Sequence, residues 1–185
     1  PVPTTLTLDE TVEFDVVEIG KMELQDYRGP RRPLHPGACL ANMNRNGGTL
    51  GAFVRHRDFP NRVFLISNHH VLAPLGSNRR DIIQPSKDYG GDEEDIVARY
   101  LRSFPMNASR SSFSNLADAA IAEIKLPTEI QLNYPELGQI KGVSGRVVTG
   151  QKVHMVGSHS GLSKGKIINT NYRMAQRYRS PNGPR

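Results

Sequence analysis

The sequence has few of the residues that cross-link a protein or anchor it in a membrane. Among its 185 residues there is one cysteine, Cys39, and no tryptophan. A single thiol excludes an internal disulfide, and it leaves a cysteine-based zinc cluster without ligands. No apolar run approaches the roughly 20 residues that a membrane-spanning helix requires. The composition therefore predicts a disulfide-free protein with no membrane partner.

Signals for secretion and for metal binding are also missing. Residues Pro1–Thr5 show neither the basic nor the apolar stretch of a signal peptide. With the single cysteine, this favours a cytoplasmic location, and a processed secreted form is compatible with the same features. Six histidines are present, but there is no His-Glu-x-x-His motif and no acidic residue beside His154 or His159. The sequence therefore predicts no metal site and no cofactor.

Charge is distributed unevenly along the chain. The last acidic residue is Glu136. Residues 137–185 contain nine basic residues and no acidic one, whereas residues 1–136 contain 15 basic and 18 acidic residues. Two interpretations stay open: the basic segment binds a polyanion, or its counter-charges lie in polypeptide outside the sequence given. Because the segment offers only Tyr172 and Tyr178 for stacking on bases, nucleic acid is the less favoured partner.

Alternation of apolar and polar residues is frequent, and helical periodicity is scarce. Short strands separated by glycine, proline, asparagine and serine predict an all-β barrel or sandwich. A single helical turn is expected after His70. The candidate strands are Val12–Val16, Gly48–Arg55, Arg62–Ser67, Asp81–Gln84, Asp95–Phe104, Ala117–Lys125, Arg146–Val156 and Lys166–Met174.

Two separate segments carry residues suited to acid–base chemistry. The apolar strand Phe64–Ser67 leads into Asn68 and two histidines, and an imidazole at a strand end is held rigidly, as a general base requires. Taken alone, the pattern fits a solvent-facing histidine pair equally well.

Asp118, which follows His70 by 48 residues, heads a strand of small and apolar residues. Desolvating this carboxylate is costly without a partner, and an imidazole N–H is such a partner, although an ordinary strand-start aspartate is the alternative.

Four blocks of the sequence resemble, in order, those of the bacterial trypsin-like serine proteases. The resemblance extends over about residues 12–172, and it implies a double β-barrel that hydrolyses peptide bonds through an acyl-enzyme. It assigns the general base to His70, which directly precedes Val-Leu-Ala, rather than to His69, and the orienting carboxylate to Asp118. The four blocks are Gly48–Val54, Ser67–Ala73, Asp118–Ala122 and Val156–Gly165.

The nucleophile block of that family, Gly-Asp-Ser-Gly, does not occur in the sequence. The family's spacing places the serine and the oxyanion hole in polypeptide outside the residues given. Ser144 follows Asp118 by only 26 residues, too few for the strands that must intervene, and Ser160 belongs to a glycine-rich turn. A thiol dyad of Cys39 with His70 is a further alternative, set against a packed core or loop thiol.

These observations lead to one main hypothesis, a trypsin-like serine endopeptidase with a double β-barrel whose second barrel is incomplete. Its partners would be a protein or peptide substrate and a second chain or downstream segment that completes the second barrel. The segment alone is expected to be inactive. The alternative is a pseudoprotease or processed fragment that acts as a binding module. The predicted parts are an unpacked N-terminus at 1–10, a first barrel with His70 and Asp118 at 11–126, a linker at 127–138, and the opening strands of the second barrel with a basic tail at 139–185.

Overall fold

A computed structural model describes residues 27–76, 78–104, 117–125 and 129–171, and the candidate strand Val12–Val16 lies outside them. The described residues form short strands with one single-turn helix, which confirms the all-β class. The elements are β1 (Cys39–Asn42), β2 (Gly48–Thr49), β3 (Ala52–Arg55), β4 (Val63–Ser67), α1 (His69–Leu72), β5 (Asp81–Ile83), a 3₁₀ turn (Lys87–Tyr89), β6 (Ile96–Ser103), β7 (Ala120–Ile124), β8 (Asn133–Tyr134), β9 (Gly138–Gln139), β10 (Lys152–Gly157) and β11 (Gly161–Lys166).

Seven antiparallel strands form one main sheet in the order β2-β1-β5-β6-β7-β4-β3. The two edge strands, β2 and β3, are separated in the chain only by Leu50 and Gly51. The sheet must therefore curl until its edges approach each other, which gives a half-barrel. Backbone bonds hold both edges at this point, because Leu50 N donates to Ala38 O at 2.9 Å and Gly51 N donates to Ile66 O at 2.8 Å.

The concave side of the curled sheet holds the hydrophobic core. In β7 burial alternates with the pleat, so Ala120, Ala122 and Ile124 point inward. Full burial of one leucine or isoleucine side chain stabilises a fold by about 1.5–3 kcal/mol. The core cluster consists of Leu34, Ala38, Leu40, Leu50, Val63, Leu65, Val71, Leu72, Ile82, Ala98, Ala120, Ala122 and Ile124.

Two predicted strands in the C-terminal region are wrong in their boundaries. The strand predicted at Arg146–Val156 begins only at Lys152, because Gly150 adopts a positive φ of 86° in the turn before it. The strand predicted at Lys166–Met174 is wrong for residues 167–171, which lie outside any strand, and its remainder is not described. The block Val156–Gly165 contributes most of β11 rather than only a turn. Gly48–Arg55 is two strands, β2 and β3, instead of one.

The C-terminal region forms two separate hairpins, β8–β9 and β10–β11, beside the main sheet. Polar contacts attach both: the Tyr134 hydroxyl donates to Gly51 O, and Ser158 N donates to Thr49 Oγ1 at 2.9 Å. The domain boundaries and the double barrel stay predictions. The described residues include no helix with the length and apolarity needed to cross a membrane.

Candidate active site

The two histidines begin α1 immediately after β4. Val71 and Leu72, the next residues of this helical turn, are buried in the core of the main sheet. Their burial holds the turn against the sheet, and it leaves the preceding histidines at the surface end. A Cβ added to Gly48 would lie 2.3 Å from Val71 Cγ2, so the close approach of β2 to α1 requires glycine there.

Strand pairing brings His70 and Asp118 together although 48 residues separate them. Strands β4 and β7 are antiparallel, and Ser67 at the end of β4 pairs with Ala120 at the start of β7. The residues that extend these strands, Asn68 and Asp118, therefore meet at the same edge. Asn68 Nδ2 donates to Asp118 O at 2.9 Å and fixes the backbone that carries the carboxylate.

Both oxygens of the Asp118 carboxylate bond to His70. The distance from His70 Nδ1 to Asp118 Oδ2 is 2.5 Å, and the backbone N–H of His70 donates to Asp118 Oδ1 at 3.3 Å. The first contact sets the orientation of the imidazole ring, and the second sets the backbone from which the ring projects. This is the contact that the sequence predicts for the pair.

The arrangement favours one tautomer of the His70 imidazole. Because a carboxylate only accepts hydrogen bonds, the proton of the neutral ring lies on Nδ1 and the lone pair on Nε2. The His70 side chain is 50% exposed, whereas that of Asp118 is 20% exposed. The imidazole is thus half exposed, and the orienting carboxylate is more enclosed.

His69 lies in a different environment from its neighbour. Its Nδ1 is 2.8 Å from Ser103 Oγ, and the Tyr100 hydroxyl is 3.0 Å from the same oxygen. Burial lowers the pKa of His69, and the positive charge of Arg45 lowers it further. A neutral His69 therefore ties α1 to β6. Sequence reasoning missed Tyr100 and Ser103, because they come from a strand that no motif links to the histidines.

Arg45 is a second residue near the pair that the sequence did not indicate. Its Nε donates at 2.9 Å to the carbonyl oxygen of Ala73, which is the residue that follows α1. Burial lowers the pKa of Arg45, and the nearby Asp118 carboxylate opposes that shift. Since an arginine stays protonated in proteins, its charge adds to the field around Asp118.

A cleft of about 530 Å³ lies between the main sheet and the turn that joins β10 to β11. The sheet side includes Thr49, Asn68 and Asp118, and the opposite side is the turn Gly157–Ser160. The cleft thus adjoins the Asp118 end of the pair, and it is large enough to take several residues of an extended or turning polypeptide.

The other candidate nucleophiles lie in three different surroundings. Ser144 Oγ donates to Arg146 O at 3.0 Å in an exposed loop, and Ser160 lines the cleft on its hairpin side. The Cys39 thiol is buried in β1 with its Sγ 3.4 Å from Ser86 Oγ, as a packed core thiol would be. In the described ranges no group of three or more histidine, cysteine or acidic residues is arranged to hold a metal ion.

Comparison with models of known protein families and with curated proteins finds no match for this chain.

Proposed function

We propose that the protein is a serine endopeptidase of the trypsin-like type, with His70 as general base and Asp118 as its orienting carboxylate. The observation that carries the proposal is the double contact of Asp118 with the ring and the backbone of His70. The nucleophilic serine and the oxyanion hole would come from polypeptide outside the 185 residues, because no Gly-Asp-Ser-Gly block is present among them.

The proposed reaction is acyl transfer to and from a serine. His70 Nε2 takes the proton of the serine hydroxyl as that oxygen attacks the carbonyl carbon of the substrate. Asp118 stabilises the imidazolium that forms, and the imidazolium then gives its proton to the leaving amine. Water repeats the sequence on the acyl-enzyme and releases the second product. The ring orientation in the structure supports this role, because Nδ1 is occupied by Asp118.

The hydrogen bond can be tested directly in the chain described here. Proton NMR should show a strongly downfield resonance from the His70 Nδ1–H, because a short bond to a carboxylate deshields that proton. Asp118→Asn should abolish this resonance, and Glu123→Gln, a matched carboxylate-to-amide change on the strand that follows Asp118, should leave it in place. A spectrum of Asp118→Asn identical to that of the unchanged protein would contradict the assignment.

On this proposal, catalysis requires a protein that contains these 185 residues together with the nucleophile block. A fluorophosphonate probe should label one serine of that protein outside residues 1–185, and His70→Ala should remove most labelling and turnover while the fold persists. His69→Ala should have a much smaller effect. Equal losses would mean that the other histidine is the base. Stoichiometric labelling of Ser144 or Ser160 would overturn the assignment of the nucleophile.

A further inference from the structure

The hairpin of β10 and β11 has one strongly basic face. Lys152 lies directly opposite Lys166, and His154 lies directly opposite Lys164. Residues directly opposite in an antiparallel pair project from the same face, with Cβ atoms about 4.5–5.5 Å apart. All four side chains are exposed, and none forms an ion pair within the described residues. We call these four residues the basic face.

The other face of the same hairpin carries Val153 and Met155, which are 39% and 59% exposed. Like charges placed directly opposite each other destabilise a strand pair, and an isolated two-stranded hairpin is only marginally stable in water. A strand that lies beside this hairpin therefore fits best with carboxylates on the side of the basic face and apolar side chains on the side of Val153 and Met155.

The N-terminal segment of the same chain has this composition. Residues 1–26 contain seven acidic residues and one basic residue, Lys21, which gives a net charge of −6. Val12, Phe14 and Val16 alternate there with Glu13 and Asp15. In an extended strand such alternation places the apolar residues on one side and the carboxylates on the other. The acidic residues of the segment are Asp9, Glu10, Glu13, Asp15, Glu18, Glu23 and Asp26.

The described chain begins near the turn of the hairpin. The guanidinium of Arg28 lies over the Tyr89 ring, 5.4 Å from its centroid, and the Tyr89 hydroxyl is hydrogen-bonded to Nε2 of His159 in the β10–β11 turn. An extended segment of 26 residues reaches up to about 86 Å, and a six-residue strand is about 20 Å long. Length therefore does not prevent the segment from reaching the basic face.

We propose that the acidic segment 1–26 binds the basic face of the β10–β11 hairpin in the same chain, with Glu13 and Asp15 beside its lysines. A tethered segment acts at an effective concentration in the millimolar range for short flexible connections, which favours it over a free polyanion. The C-terminal region has no acidic residues after Glu136, and this contact would supply carboxylates to its basic side chains. It is independent of the proposed peptidase activity.

Zero-length cross-linking of the 185-residue chain with a carbodiimide tests the proposal, because it joins only amines and carboxylates in direct contact. Mass spectrometry of the monomer should find links from Lys152, Lys164 or Lys166 to carboxylates of residues 1–26. The yield of these links should fall when the salt is raised from about 0.1 M to about 1 M, because the Debye length falls from about 10 Å to about 3 Å. Lys125, at the end of β7 in the main sheet, is the internal control and should form none of them.

Charge reversal provides the decisive variants. Lys164→Glu with Lys166→Glu should remove most links between the segment and Lys152, and adding Glu13→Lys and Asp15→Lys should restore contact as links of reversed polarity. Absence of links in the unchanged chain would overturn the proposal, as would links confined to a dimer, which would make a second copy the partner. Tight, salt-sensitive binding of a fluorescent duplex oligonucleotide by the unchanged chain would also overturn it, because the basic face would then be open to nucleic acid.

Discussion

The main sheet and the region from Leu132 to Asn171 differ in how far their apolar side chains are buried. In the sheet, Leu40, Leu65 and Ile82 are completely buried. In the C-terminal region, Val143 is 99% exposed and Ile168 is 79% exposed. The sheet therefore has its own core, whereas most large apolar side chains of the C-terminal region within the described residues are at least 39% exposed.

This difference bears on the candidate site. His70 and Asp118 belong to the region with the closed core, and a functional pair is held most accurately on rigid, well-packed elements. Ser144 and Ser160 belong to the exposed region. The comparison thus supports the proposal that the base and its carboxylate are preformed in the main sheet.

The largest expected effect is the loss of core packing in the main sheet. Leu65→Ala should lower the free energy of unfolding by about 2–5 kcal/mol, because it removes buried methyl groups and leaves a cavity. Val143→Ala should change it by less than about 0.5 kcal/mol, because that side chain is in water already. Urea denaturation of both variants measures the contrast. Similar losses in the two variants would show that Val143 is covered in solution, and the comparison of the two regions would fail.

A smaller effect is expected where β2 meets α1. Gly48→Ala would bring a Cβ to 2.3 Å from Val71 Cγ2, so α1 has to shift or the side chain has to leave its rotamer. Overpacking of this kind costs about 1–3 kcal/mol, and the downfield proton of His70 should weaken or move, because His70 precedes Val71.

The control for this change is Gly142→Ala in the C-terminal region. A Cβ at Gly142 would meet nothing within 4 Å. This variant should therefore match the unchanged protein in urea denaturation and in its NMR spectrum. A destabilised Gly142→Ala would point to packing around that loop which the structure does not show.

The pairing of His70 with Asp118 was predicted from two local patterns together with their 48-residue spacing and the resemblance to the trypsin-like serine proteases, because each pattern alone left an ordinary alternative open. Each residue adjoins a strand with a clear apolar pattern, β4 or β7, and the small residues of β7 fit its buried positions. The contacts around Asp118 and the two histidines were not predictable in this way. Asn68, Ser103 and Arg45 act through contacts between elements that are distant in sequence, and no periodicity records such contacts.

Two failures of prediction have identifiable physical causes. Strand β1, Cys39–Asn42, is buried at every position, so it shows no alternation, and the prolines and glycines before it suggested a loop. Strands β10 and β11 are exposed at most positions, so turn residues rather than burial set their limits. Tertiary burial therefore decides where β1 lies, whereas local turn residues decide where β10 and β11 begin and end.

The smallest expected effect concerns the two environments of histidine, His69 beside the main sheet and His154 on the exposed hairpin. Burial and Arg45 lower the pKa of His69 below its ordinary value of about 6.5. Above about pH 6.5 the His69 ring is neutral in both the folded and the unfolded chain, and neutral His69 makes its full contribution to the free energy of unfolding. As the pH falls through about 6.5 toward the lower folded-state pKa, the unfolded chain binds a proton that the folded chain does not, so the free energy of unfolding decreases.

His69→Gln should reduce this loss when urea midpoints at about pH 7.5 and about pH 5.5 are compared. His154→Gln, the matched change on an exposed strand, should keep the loss at the level of the unchanged protein when both are measured in about 1 M salt, where charge contacts of the basic face are screened. If His69→Gln kept the full pH dependence, or if acid stabilised the unchanged protein, His69 would not be the neutral tie between α1 and β6 that its contacts with Ser103 indicate.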